Sequence, residues 1–125
     1  MGGAVIGIDI EQFVRDPYGT GIQRVLQYLA KEWPAGISAH FLAPDPDRDG
    51  VFFQLEPGQA AALISIAFGG HSDKAILRNT VHDQLRQLSA PKITSSEIRA
   101  HYSSWLLTEV SYLTSVLEPF EALRP

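Results

Sequence analysis

The chain has 125 residues, 45% of them hydrophobic, and a formal net charge of −4, with 10 Lys and Arg residues against 14 Asp and Glu. This length and composition predict one domain with a single core, and an acidic chain without a basic stripe argues against a nucleic-acid partner. The absence of cysteine excludes disulfides and thiolate metal sites, and no run approaches the ~20 apolar residues of a membrane span.

The first 42 residues predict a β-α-β unit. Residues 4–10 form an apolar run rich in Val and Ile, which is typical of a strand buried on both faces in a parallel sheet. Apolar side chains recur at helical spacing from 21 to 33, and Pro34 ends this helix because the residue before a proline avoids the helical region. Residues 37–42 predict the second strand, which a right-handed crossover would place beside the first.

The middle of the chain predicts a hairpin and a helix. Residues 44–50 have the composition of a turn, and 51–55 predict an aromatic third strand paired with the second. Residues 57–68 predict an Ala-rich helix, although 64–68 also fit a strand.

Beyond a Gly69-Gly70 break, the pattern becomes mostly helical. Residues 73–88 predict a helix, Ala90-Pro91 a second break, and the Thr94–Glu97 segment a capping box that opens another helix. Residues 105–107 fit either a strand or the end of that helix, and 115–123 predict a final helix. Such a helix should lead into a further strand, so we expect a fragment of a longer chain or a domain completed by a partner.

The turn between the first strand and its helix contains Gly19-Thr20-Gly21. The dinucleotide fingerprint would need glycine where Arg24 stands, and the lysine of a P-loop is absent. One interpretation is a backbone-amide site for phosphate or carboxylate, assisted by Arg24 one turn into the helix. The other is structural: the glycines make the turn and Thr20 caps the helix.

Two segments carry a resemblance to a known family. Residues 8–10 with 19–25, and residues 105–112 with 116–121, resemble the N-terminal domain of bacterial nucleotide-sugar glycosyltransferases of the two-Rossmann-domain (GT-B) type. The resemblance implies an α/β fold: a partial Rossmann-like parallel or mixed sheet flanked by helices, the incomplete half of a two-domain enzyme. Residues 1–125 would be one acceptor-side domain, in which 69–93 matches nothing and is interpreted as a variable insertion.

The resemblance also implies a function. The complete enzyme would transfer a sugar from a nucleotide-sugar donor to a saccharide or lipid-linked acceptor, without a cofactor. Because the donor-binding half has no counterpart here, we do not expect residues 1–125 alone to be active, and no catalytic residue is assigned. The candidate ligand-binding residues are Asp9, Tyr18, Gly19, Thr20, Gly21, Arg24 and Glu109.

Three further expectations concern partners and location. A non-catalytic α/β interaction domain, docking through a sheet edge or the 73–88 helix, is the alternative function. Exposed apolar surface that the rest of the enzyme would otherwise cover would favour a homodimer. We expect a cytoplasmic protein, either free or bound peripherally to the inner membrane face.

Residues 45–56 also satisfy the calcium-loop pattern of alternating acids, a glycine and a late glutamate. A strand rather than a helix precedes the loop, and prolines flank its entry, so an acidic hairpin turn is the competing interpretation. The four histidines are scattered without metal-ligand spacing, and we expect no metal site from them. The candidate calcium ligands would be Asp45, Asp47, Asp49 and Glu56.

Overall fold

The computed structural model describes residues 6–70 and 73–102, together with the backbone of Ser104–Leu107. Helices and strands alternate along much of this part of the chain, and a single 3-10 turn, Ile66–Phe68, follows the third helix. The elements are β1 (Ile6–Asp9), α1 (Glu11–Arg15), α2 (Gly21–Lys31), β2 (Ala39–Pro44), β3 (Val51–Leu55), α3 (Pro57–Ser65), α4 (Lys74–Gln87), β4 (Lys92–Thr94), α5 (Ser95–His101) and β5 (Ser104–Leu107).

The strands form one mixed sheet in the order β4-β3-β2-β1-β5. In the part before residue 95, β1 and β2 are parallel, whereas β3 runs antiparallel to both β2 and β4. The strand β5 then adds to the free side of β1, again parallel. The predicted α/β class, the parallel β1-α2-β2 unit and the β2-β3 hairpin are therefore confirmed.

The two faces of the sheet bury separate apolar clusters, because neighbouring strand residues point to opposite sides. On one face Ile8, Phe41 and Phe53 belong to the main core, which also includes residues of α1 to α4. On the other face Leu42 packs with Ile98 of α5 in a smaller cluster. Helices thus cover both sides of the sheet, which fits the burial of most residues in β1, β2 and β3.

The helix α2 is placed by its cap and its apolar stripe. The Thr20 hydroxyl oxygen accepts a hydrogen bond from the Gln23 amide at 3.2 Å, and Leu26 and Leu29 are buried against the core. The helix ends at Lys31, two residues before the predicted end. Trp33 lies beyond it, packed edge-on against Phe41 with ring centroids 5.9 Å apart.

Several other predictions can be scored against the described residues. The third strand was predicted with its observed bounds, while β2 begins and ends two residues later than expected. The helical interpretation of 57–68 is confirmed, and the strand alternative for 64–68 is wrong because α3 continues into the 3-10 turn. The capping box that opens α5 is confirmed, and 105–107 lie in a strand. The predicted helix 115–123 lies outside the described residues.

Two elements were missed. The helix α1 occupies the predicted loop, and its first amide, that of Glu11, donates to the Asp9 carboxylate at 2.8 Å. The short strand β4 follows the predicted Ala90-Pro91 break, where no strand was predicted, and pairs with β3. The helix α4 and the first two residues of β4 lie within 69–93, so this segment contributes to the core and to the sheet. Its interpretation as a variable insertion stays a prediction.

Candidate functional site

A pocket of about 430 Å³ lies between α1 and the start of α2. Since α1 follows β1 directly and α2 begins soon after α1, the pocket is on the carboxyl side of this central strand, where open α/β sheets bind ligands. Three predicted site residues, Tyr18, Thr20 and Gly21, come together in its wall. The lining residues are Gln12, Phe13, Asp16, Tyr18, Thr20, Gly21, Ile22, Gln23 and Leu26.

The turn before α2 depends on Gly19. Its φ of 68° lies in the left-handed region, and an added Cβ would come within 2.8 Å of the Ala67 carbonyl oxygen. The Gly19 amide donates to the Gln23 side-chain oxygen at 2.8 Å, so it faces the helix rather than the pocket. Gly19 therefore shapes the wall without lining it.

Gln23 is the residue that holds this turn together, and the sequence analysis missed it. It is only 8% exposed, and its side-chain amide donates to the Asp16 carbonyl oxygen at 2.7 Å while its oxygen accepts from Gly19. A glutamine three residues after a capping Thr was the available signal, because side chains at that helical position can reach back over the turn.

Two backbone amides at the start of α2 are already hydrogen-bonded to the capping residue Thr20. The Gln23 amide donates to the Thr20 hydroxyl, and the Arg24 amide donates to the Thr20 carbonyl oxygen at 2.9 Å. The structural interpretation of Thr20 is thus confirmed. Gly21 differs, because nothing lies within 4 Å of the position that its Cβ would occupy, and the wall is open at this residue.

Arg24 contacts Phe68 and does not line this pocket. Its guanidinium carbon lies 4.3 Å from the centre of the Phe68 ring, on the side of α2 that faces the 3-10 turn. Arg24 is accordingly not among the lining residues.

Tyr18 and Asp16 form the polar rim of the pocket. The Tyr18 hydroxyl donates to the Asp16 carboxylate at 2.9 Å, and Arg78 of α4 lies 3.3 Å from the same carboxylate oxygen. Lys74 places its ammonium 4.2 Å from the centre of the Tyr18 ring. These contacts orient a phenol and a carboxylate at the entrance.

Asp9 lies at the end of β1 but outside the pocket wall. The carboxyl group is 7% exposed, and burial raises its pKa to about 6. The hydrogen bond from the Glu11 amide opposes this shift, and the nearby Glu11 charge adds to it. Its visible role is to cap the first turn of α1. The remaining candidate, Glu109, lies outside the described residues.

The calcium-loop interpretation is wrong for residues 45–56. The Asp45 carboxylate lies 3.0 Å from the Lys92 ammonium, and Asp47 pairs through both oxygens with Arg86 at 2.9 and 3.0 Å. The strand β2 leads into the loop, and Glu56 instead caps α3. Over residues 6–70 and 73–102, the structure gathers no group of three His, Asp or Glu side chains suited to a metal ion.

A second polar cluster lies on the face of the sheet that α5 covers. The Tyr102 hydroxyl lies 2.9 Å from His40 Nδ1 and 2.9 Å from the Gln54 side-chain nitrogen. His40 Nε2 is 3.4 Å from a Glu56 carboxylate oxygen, and the His101 ring lies 6.5 Å from that of His40. His40 and His101 are 61 positions apart in the sequence, and their rings come close because α5 covers this face of the sheet.

Comparisons with protein-family models, with curated proteins and with solved structures found no match to this chain. Among the helices in the described part of the chain, none combines the length and apolar character needed to cross a membrane.

Proposed function

We propose that this chain is the acceptor-binding, N-terminal part of a GT-B-type glycosyltransferase, and that the pocket between α1 and α2 holds the saccharide acceptor. The observation that carries the proposal is the meeting of Tyr18, Thr20 and Gly21 in one pocket on the carboxyl side of β1. The flanking parallel pairs of β1 with β2 and β5 support it, because this topology leaves a crevice at that edge.

The composition of the wall favours an acceptor over a nucleotide diphosphate. No Arg or Lys occurs among the described lining residues, and the one charged side chain there is the carboxylate of Asp16. Phe13 and Leu26 offer apolar surface, whereas Gln12 and Asp16 offer hydrogen-bonding groups. A sugar ring presents both kinds of surface, since its C–H groups are apolar and its hydroxyls donate and accept.

This proposal assigns acceptor binding alone to the chain. Donor binding and the transfer itself would require a second nucleotide-binding domain, and no residue described above is given a catalytic role. The alternative of an interaction domain would leave the pocket without a small-molecule ligand.

The decisive experiment is a titration of the chain with neutral oligosaccharides and, separately, with a nucleotide diphosphate, followed by NMR shifts of Tyr18. We expect saturable shifts with a saccharide and none with the diphosphate. Gly21→Leu should fill the open wall and weaken binding by at least ~10-fold, since an obstructed contact of about 1.4 kcal/mol is one decade of affinity.

Gly58→Leu is the matched control, because Gly58 also lies in a first helical turn with no atom within 4 Å of its Cβ position. It should bind like the unmodified chain. Equal affinity of the Gly21 and Gly58 variants, or tighter binding of the diphosphate than of any saccharide, would contradict the proposal.

A further inference from the structure

A second pocket, of about 370 Å³, lies at the opposite end of the parallel strands from the first. Its wall includes His40 near the start of β2 and Glu56 just after the end of β3. Trp33, Pro34 and Pro57 supply the adjacent apolar surface. The polar part of this wall belongs to the cluster around Tyr102, which the proposed function does not use.

The hydrogen bonds of Tyr102 determine which nitrogen of His40 carries the proton. The Gln54 side-chain nitrogen can only donate, so at 2.9 Å it uses the Tyr102 oxygen as acceptor. We assign the Tyr102 hydrogen to His40 Nδ1, also at 2.9 Å, because the buried hydroxyl then has an acceptor as well as a donor. Burial raises the pKa of Tyr102, which keeps that phenol protonated. With Nδ1 accepting, a neutral imidazole carries its hydrogen on Nε2.

His40 therefore presents a fixed N–H donor next to a carboxylate acceptor. The distance of 3.4 Å between His40 Nε2 and the Glu56 oxygen is longer than a strong N–H···O bond. The side chains of His40 and Glu56 are 25% and 68% exposed, so both groups reach the pocket. A hydroxyl is the simplest ligand group that accepts from His40 Nε2–H and also donates to the Glu56 carboxylate.

The apolar side of the pocket is equally fixed. The Trp33 indole nitrogen donates to the Ile37 carbonyl oxygen at 2.7 Å, and the ring packs at 84° to that of Phe41. An oriented aromatic surface beside a donor–acceptor pair is complementary to a ring with an apolar face and a hydroxylated edge.

We propose that this pocket is a second binding site, for a neutral hydroxylated ligand of the saccharide class. One ligand hydroxyl accepts from His40 Nε2–H and donates to Glu56, while the apolar face of the ring lies against Trp33. Tyr102 and Gln54 are positioning residues that hold the imidazole in the required tautomer. The site does not depend on the proposed function of the pocket between α1 and α2.

The test combines nitrogen-resolved NMR of the histidine side chains with a titration of methyl glucopyranoside and N-acetylglucosamine. We expect His40 to carry its proton on Nε2 at neutral pH, and the His40 and Trp33 signals to shift together to saturation. His40→Phe should abolish these shifts, and Tyr102→Phe should weaken binding by roughly 10-fold because it releases the tautomer.

His101→Phe is the matched control, since His101 stacks near His40 but stands outside the hydrogen-bond chain; it should bind normally. A proton on Nδ1, a doubly protonated His40, or no Trp33 shift with either sugar would overturn the proposal. Shifts at Tyr18 without shifts at Trp33 would also overturn it, while leaving the first pocket supported.

Discussion

At the scale of single residues, the most unusual group is the buried carboxyl of Asp9. Its pKa of about 6 lies above the reference value of 3.8, so the folded state favours the protonated form. The stability that this group contributes is fully present below pH 3.8 and is lost as the pH rises through 6. At neutral pH the chain therefore holds a carboxylate in a site that disfavours its charge.

Asp9→Asn should remove this cost while keeping an oxygen that accepts from the Glu11 amide. We expect its free energy of unfolding at pH 7.5 to rise by about 1–3 kcal/mol, the gain shrinking toward zero near pH 4. Urea unfolding at pH 7.5 and at pH 4 measures this change in the free energy of unfolding. Asp49→Asn, at an exposed position, should change stability by less than ~0.5 kcal/mol at either pH. A gain that does not vary with pH would contradict the assignment.

At the scale of elements, the entry into α2 rests on one glutamine. Gln23→Ala would leave the partly buried Gly19 amide and the Asp16 carbonyl without their partner, which should cost about 1–3 kcal/mol. Gln27→Ala, one turn later on the same helix, should be near neutral. Thermal unfolding compares the two, and hydrogen exchange should show faster exchange at Gly19 only in the first variant. Equal effects of the two substitutions would refute this role.

The elements also show where sequence patterns succeed. The strand β3 was predictable from its aromatic composition after a turn, and the helix α2 from its 3.6-residue period, which reports burial directly. The strand β4 has three residues, too few to show a period, and α1 depends on the Asp9 contact rather than on an apolar stripe.

Among the candidate site residues, too, local patterns predicted some features, and others depended on tertiary packing. Thr20 and Gly21 were recognisable from local chemistry, as was the capping role of Thr20. The direction of Arg24 required the position of Phe68, and the pairing of His40 with Tyr102 required strands and a helix 62 positions apart to meet. Contacts set by tertiary packing leave little trace in the spacing of residues.

At the scale of the whole molecule, the segment 69–93 is either a peripheral insertion or an integral part of the domain, and its contacts favour the second. Val81 and Leu85 of α4 are completely buried in the main core, and Arg78 donates to the Arg15 carbonyl oxygen at 2.8 Å. A segment with these contacts should unfold together with the rest of the chain. Leu85→Ala should then lower the free energy of unfolding by about 2–5 kcal/mol.

Ile76, on the same helix as Leu85, provides the matched control. Ile76→Ala, at a side chain that is 53% exposed, should cost far less than Leu85→Ala although both shorten an apolar residue of the same helix. Leu85→Ala should also raise hydrogen exchange in β1 and α2 to the same extent as in α4, because they share one core. If exchange rose in α4 alone, the segment would be an independently unfolding attachment, and the core of the domain would not require it.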